Sequence, residues 1–92
     1  MNTPQKIRSA LTSAFSVQHL HIEDESILHS GHSEAKKQNG GHFKITIVSD
    51  VFAGQPLVKR HRMIYKALES EFKGGIHALG IKAYTPLEWK NI

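Results

Sequence analysis

The period of apolar and polar positions changes several times along the chain, and each change marks an element. Ile7, Ala10, Leu11, Ala14 and Phe15 recur at i, i+3, i+4, i+7 and i+8, the stripe of a helix of about three turns. Thr3-Pro4 is read as its start, because threonine can cap free amides and proline at the first helical position loses no hydrogen bond. Val17 to Asp24 then alternates. Leu20 and Ile22 share a face with Gln18 and Asp24, and His19, His21 and Glu23 share the other, which predicts a half-buried strand. From Glu25 to Gly41 the pattern dissolves into Ser, Gly, His, Lys, Gln and Asn, and Asn39-Gly40-Gly41 supplies positive φ at low cost. Exposed connections of that length in compact domains commonly carry function.

Alternation resumes from His42 to Asp50, with Phe43, Ile45 and Ile47 pointing one way and Lys44, Thr46 and Val48 the other. The two strands are expected to pair antiparallel across the loop. A turn over Asp50–Gln55 leads to Pro56, which opens a basic helix predicted over 56–73. Leu57, His61, Ile64, Tyr65, Leu68 and Phe72 form its apolar stripe, and Gly74-Gly75 ends it. Ile76 to Tyr84 reads as a third strand with His77, Leu79, Ile81 and Ala83 on one face. Pro86 starts a short terminal turn carrying Leu87 and Trp89. A helix between strands two and three implies that they run parallel with a right-handed crossover. The expected architecture is α/β (α+β): one small domain over residues 1–92, with helices on one face of a three-stranded mixed sheet.

Composition narrows the function classes. Hydrophobic residues make up 39% and charged residues 22% of the chain, ordinary for a folded domain and outside the disordered class. No apolar run is long enough to span a membrane. The opening Met1-Asn2-Thr3-Pro4 lacks the build of a secretory signal, which makes the cytoplasm the expected compartment. Cysteine is absent, which removes disulfides, a thiol nucleophile and any thiolate metal site. Twelve Lys and Arg against eight Asp and Glu leave +4, a balance that favours polyanions. Seven histidines stand out more, since imidazole ligates borderline metals and titrates near neutrality.

The histidines divide by setting. His19 and His21 fit a solvated strand face, and His61 fits a hydrogen-bonded place on the helix stripe. His29-x2-His32 is spaced to share one metal ion, and His42 lies at the end of the same loop. His77 follows Gly74-Gly75 at the head of the third strand, where it can converge with the loop and give an iron or zinc ion two imidazoles. Two ligands are an incomplete set, so a partner must supply the others. Separately, Lys59-Arg60-His61-Arg62 gathers three fixed cations in one turn, with Lys66 one turn further, a surface suited to phosphates. Walker, GxGxxG, nucleophile-elbow and HExxH signatures are all missing, so the expectation is a protein that is not an enzyme.

Three blocks in order resemble the BolA family: Asp24-Glu25-Ser26; His42 to Asp50 running through Phe52-Ala53-Gly54 to Leu57-Val58-Lys59-Arg60-His61-Arg62-Met63-Ile64-Tyr65; and Ile76-His77-Ala78-Leu79 with Thr85-Pro86-Leu87-Glu88-Trp89. The resemblance covers nearly the whole chain. It implies a fold similar to the class II KH domain, although the nucleic-acid-clamping GxxG loop of KH domains is missing. It implies a monothiol glutaredoxin partner with glutathione, and a [2Fe-2S] cluster held between the two proteins rather than by this chain alone. The family's C-terminal histidine ligand falls on His77. Its loop ligand falls on His29 or His32, and spacing from Asp24-Glu25-Ser26 favours His29. Neutral imidazoles in place of thiolates make a cluster less negative and its ligation more proton-sensitive, which suits iron–sulfur trafficking or iron sensing. The alternative drawn from the family is a DNA-binding transcriptional regulator acting through Lys59, Arg60, Arg62 and Lys66. Alone, the chain is expected to be a monomer or a weak homodimer.

Overall fold

The computed structural model describes residues 2–25 and 41–92. Helix α1 (Thr3–Ala14) leads to strand β1 (Val17–Asp24). Strand β2 (His42–Ser49) runs into a 3-10 turn (Asp50–Phe52), helix α2 (Leu57–Ala67) and the single turn α3 (Glu69–Phe72). Strand β3 (Ala78–Tyr84) and helix α4 (Pro86–Lys90) complete the order. The sheet order is β1-β2-β3, antiparallel between the first two strands and parallel between the last two, as the connections require.

Central β2 carries the core. Phe43, Ile45 and Ile47 alternate onto the helix side and meet Ile7 and Leu11 of α1 and Ile64 and Leu68 of the α2–α3 segment, with Phe52 beneath the 3-10 turn. Shielding each of these large side chains from water contributes about 1.5–3 kcal/mol. Leu20 and Ile22 of β1 and Leu79 and Ile81 of β3 pack on the same core from the flanks.

Several local readings shift. Asn2, not Thr3, caps α1. Its Oδ1 accepts from the Gln5 N–H and its own N–H donates to Gln5 Oε1, each at 2.9 Å, a reciprocal box that a hydroxyl one residue later cannot make. The helix expected over 56–73 is broken at Leu68, where ψ is 14°. Its buried stripe is also rotated: Arg60, Ile64 and Leu68 are shielded, whereas Leu57 and Tyr65 face solvent. Arg60 takes an inward position because its guanidinium finds a full set of acceptors there. The third strand starts at Ala78, two residues later than expected. Helices α1 to α3 cover one face of the sheet. Helix α4 turns around the end, so that Trp89 overlies the opposite face.

Candidate functional site

Strand alternation and register divide the face of the sheet away from the helices into cross-strand rows. His19, Val48 and Tyr84 form one row, then His21, Thr46 and Lys82, then Glu23, Lys44 and Gly80. Successive rows lie ~7 Å apart. The Trp89 ring stacks on His19 at 4.8 Å and leans on Tyr84 at 5.7 Å between ring centres. This lid explains why Val48, on the open side by alternation, is 1% exposed. The middle rows form a shallow groove of about 360 Å³ floored by Thr46 and Gly80.

The last row, beyond Lys44, holds His42 opposite Ala78, with His77 immediately before it. The rings of His42 and His77 lie 5.3 Å apart between centres, tilted by 52°. Their backbones are locked together through Gly41, whose carbonyl accepts from the N–H of His77 at 2.8 Å and of Ala78 at 3.2 Å. Gly41 has φ +65°, and a β-carbon there would stand 2.8 Å from the Gly75 carbonyl oxygen. Gly75 in turn leaves no space for a β-carbon, which would meet Thr3 Oγ1 at 2.6 Å. Gly41 lets β2 begin beside the start of β3, which brings the rings together, and Gly75 lets that segment pack against Thr3 of α1. His77 is exposed and His42 half-buried. Two imidazoles on one tetrahedral ion, with metal–nitrogen bonds near 2.1 Å, put their ring centres about 5 Å apart. The observed separation of the ring centres is of that size. No set of three histidine or carboxylate ligands is assembled among the described residues, so two imidazoles make a partial set. The loop candidates His29 and His32 lie outside the described residues. Alternation alone places His42 beside Ala78 once β2 and β3 are paired, but the sequence reading assigned it no role.

At the other end, the cations expected on one basic surface separate. Lys59, Arg62 and Lys66 are exposed along one face of α2. Arg60 is 7% exposed and its donors are spent within the fold. Its Nε donates to the Gln55 carbonyl at 2.7 Å and its Nη1 to the Ala83 carbonyl at 3.0 Å. Nη1 and Nη2 also donate to the two Glu88 carboxylate oxygens at 2.6 and 3.0 Å. Glu88 accepts from the Thr85 N–H at 2.9 Å as the third residue of a capping box on α4. The Arg60 hydrogen bonds, then the Thr85 amide, hold the Glu88 carboxyl at a pKa of about 2, and the same pairing raises that of Arg60. Arg60 is therefore a structural clasp between α2, β3 and α4, and the phosphate-facing set reduces to Lys59, Arg62 and Lys66.

The sequence and the fold have known counterparts. A family model described as BolA-like protein matches residues 11–88. The chain is 45% identical over 87 residues to SufE-like protein 1, chloroplastic/mitochondrial, of Arabidopsis thaliana; the match takes in 90% of this chain but about a quarter (24%) of that protein. It is 36% identical over 88 residues to the DNA-binding transcriptional regulator BolA of Escherichia coli strain K12, covering 96% of this chain and 80% of the relative. Among solved structures, BolA1 from Arabidopsis thaliana superposes with a TM-score of 0.80 at 38% identity, over 96% of both chains. The chain belongs to the BolA-like family. Its relatives are variously named as a SufE-like protein, as regulators and as BolA-like proteins. No helix among the described residues is long and apolar enough to cross a membrane.

Proposed function

We propose that this protein is a non-enzymatic adaptor of iron–sulfur trafficking or iron sensing in a reducing cytoplasm. In this reading it shares a [2Fe-2S] cluster with a glutathione-bearing monothiol glutaredoxin. The cluster is cargo passing between two proteins, and His77 supplies one ligand from this side. A second imidazole comes from beside it: His42 by the ring spacing, or His29 or His32 of the loop by the family pattern, with His29 favoured. The observation that carries the reading is the His42–His77 pair, an exposed and a half-buried imidazole on strand starts joined by main-chain hydrogen bonds, with no third ligand assembled among the described residues. A partial set of this kind favours shared over permanent ligation.

The test is anaerobic mixing with a monothiol glutaredoxin carrying its cluster, followed by visible absorption and circular dichroism. The wild type is expected to change both spectra, His77→Ala to leave the glutaredoxin spectrum as it was, and His42→Ala and His29→Ala to identify the second ligand. A wild type that changes neither spectrum overturns the proposal.

A second reading, DNA binding through α2, is favoured by the exposed row Lys59, Arg62 and Lys66 and by the name of the Escherichia coli relative. It requires duplex affinity to fall steeply with salt and to drop in Arg62→Ala. Undiminished binding in that variant removes α2 as the contact surface.

A further inference from the structure

The two outer strands of the sheet treat their free sides differently. The outer side of β1 is engaged: Arg8 Nη2 reaches the Leu20 carbonyl at 3.3 Å, and Asp24 is engaged as well. On β3 the phase of the main chain follows from the neighbouring ladder. The His42 carbonyl accepts from the Glu25 N–H at 2.7 Å and so points toward β1, which turns the main-chain groups of Phe43, Ile45 and Ile47 toward β3. In the parallel register they meet those of Ala78, Gly80, Lys82 and Tyr84, and the N–H and C=O groups of Leu79, Ile81 and Ala83 turn outward. The Ala83 carbonyl is taken, because it accepts from Arg60 Nη1 at 3.0 Å. Among the described residues, nothing hydrogen-bonds to the outward groups of Leu79 and Ile81.

This edge ends in a cavity. Beside Ala83, a space of about 620 Å³ opens between Tyr84, Pro56 and Leu57 at the start of α2, and Asn91 and Ile92 beyond α4. Leu57 and Ile92 are 63% and 74% exposed, so apolar surface is left to solvent at the cavity wall. The uncompensated charge beside the edge has one sign. Glu88, which also lines the cavity, is held by Arg60. Lys82 is the only charged side chain of β3, and among the described residues no ion pair reaches it.

We infer that the outer edge of β3 is a docking surface for an extended acidic and apolar segment of another protein, which joins the sheet as a fourth strand. Its main chain exchanges hydrogen bonds with Leu79 and Ile81. Where Arg60 ends that pairing at Ala83, side chains take over. A carboxylate beside Lys82 lies on the open face, and the apolar residue next to it in sequence, turned to the helix side by alternation, enters the cavity against Leu57. Charge selects this occupant. A basic segment sets like charge beside Lys82, and a second copy of β3 brings another Lys82 and no carboxylate. The inference is independent of cluster sharing, because no histidine takes part in it.

Fluorescence anisotropy at low ionic strength tests this with a labelled heptapeptide of alternating valine and glutamate, against a counterpart of alternating valine and lysine. Leu57 and Lys82 are exposed, so variants at either are expected to fold. The acidic peptide is expected to saturate the wild type and to bind roughly tenfold more tightly than the basic one. Lys82→Glu should invert that order, and Leu57→Ser should weaken the acidic peptide about fivefold. N-methylation of the valine amides and of the glutamate amides should differ, one set abolishing binding and the other sparing it, because alternate amides face the strand. Absence of saturable binding, equal loss from both methylated sets, or a preference unchanged in Lys82→Glu overturns the inference. Sedimentation velocity without peptide supplies the remaining check: a wild-type dimer that the peptide dissociates would assign the edge to a second copy and also overturn it.

Discussion

The Trp89 end of the sheet and the His42–His77 end solve opposite problems with different parts. At the first, side chains make the structure. Arg60 bridges Gln55, Ala83 and Glu88, Glu88 closes its own helix cap, and Trp89 shields Val48. At the second, the main chain makes the structure. Gly41 allows a close approach to the Gly75 carbonyl that a β-carbon would not permit, and the His77 side chain held there is exposed. Side-chain donors are thus matched at the first end, and at the second the strand starts that carry the imidazoles are joined by main-chain hydrogen bonds. The exposed His77 ring is presented from such a frame at the surface.

The sharpest way to break this contrast is at Gly41. An alanine there adopts a left-handed φ and also collides with the Gly75 carbonyl, so Gly41→Ala should cost about 3 kcal/mol. Gly54 has φ +75° with open space around it, and Gly54→Ala should cost about 1 kcal/mol from conformation alone. Urea denaturation of the two variants isolates the steric part. Equal losses mean that the histidine frame is looser than described.

Next in size is Arg60. Arg60→Ala strips charged hydrogen bonds from two carbonyls and a carboxylate and should cost about 2 kcal/mol. Arg60→Lys should recover little of it, because an ammonium cannot reproduce the bidentate contact with Glu88 while also reaching Gln55 and Ala83. The same variants should bind DNA no worse than wild type at temperatures where they remain folded, whereas Arg62→Ala should bind less tightly. Full stability in Arg60→Lys would show that the clasp is a surface ion pair and not the joint between α2 and α4.

What was legible in the sequence follows the same division. Period-two patterns gave β1 and β2 their faces, and the helical crossover gave the parallel pairing, because one-sided burial leaves a direct imprint on the order of residues. The stripe of α2 was misplaced because a charged residue occupies a core position. Arg60 is apolar in neither name nor scale, and its burial depends on acceptors from β3 and α4 that are distant in sequence. A local signal did exist, since Thr85-x-x-Glu88 after a strand is a capping-box spacing that fixes a carboxylate. His77, read as part of the third strand, directly precedes β3. Its neighbour His42 acquires meaning only once Gly41 is seen to join the two strand starts, a contact between residues far apart in the chain.

The smallest effect expected is also the most specific to the Trp89 end. Glu88 titrates at about 2 in the folded protein against an ordinary 4.5, chiefly through its hydrogen bonds with Arg60. A depressed carboxylate contributes stability that is complete above its ordinary pKa and is lost as pH falls from 4.5 toward 2, because the unfolded chain takes up the proton first. Wild type should therefore lose stability faster over that range than Glu88→Gln, and the two should converge at its acid end. The Glu88 side chain is 45% exposed, so water and salt screen the pair and the difference should shrink at high ionic strength. His77→Ala, at the opposite end, should leave the acid limb of the wild-type profile unchanged. Parallel curves for wild type and Glu88→Gln from pH 4.5 down would mean that the carboxylate is no more stabilised in the fold than in the open chain. The bidentate geometry at Arg60 would then reflect packing of the guanidinium and not a charge-dependent clasp.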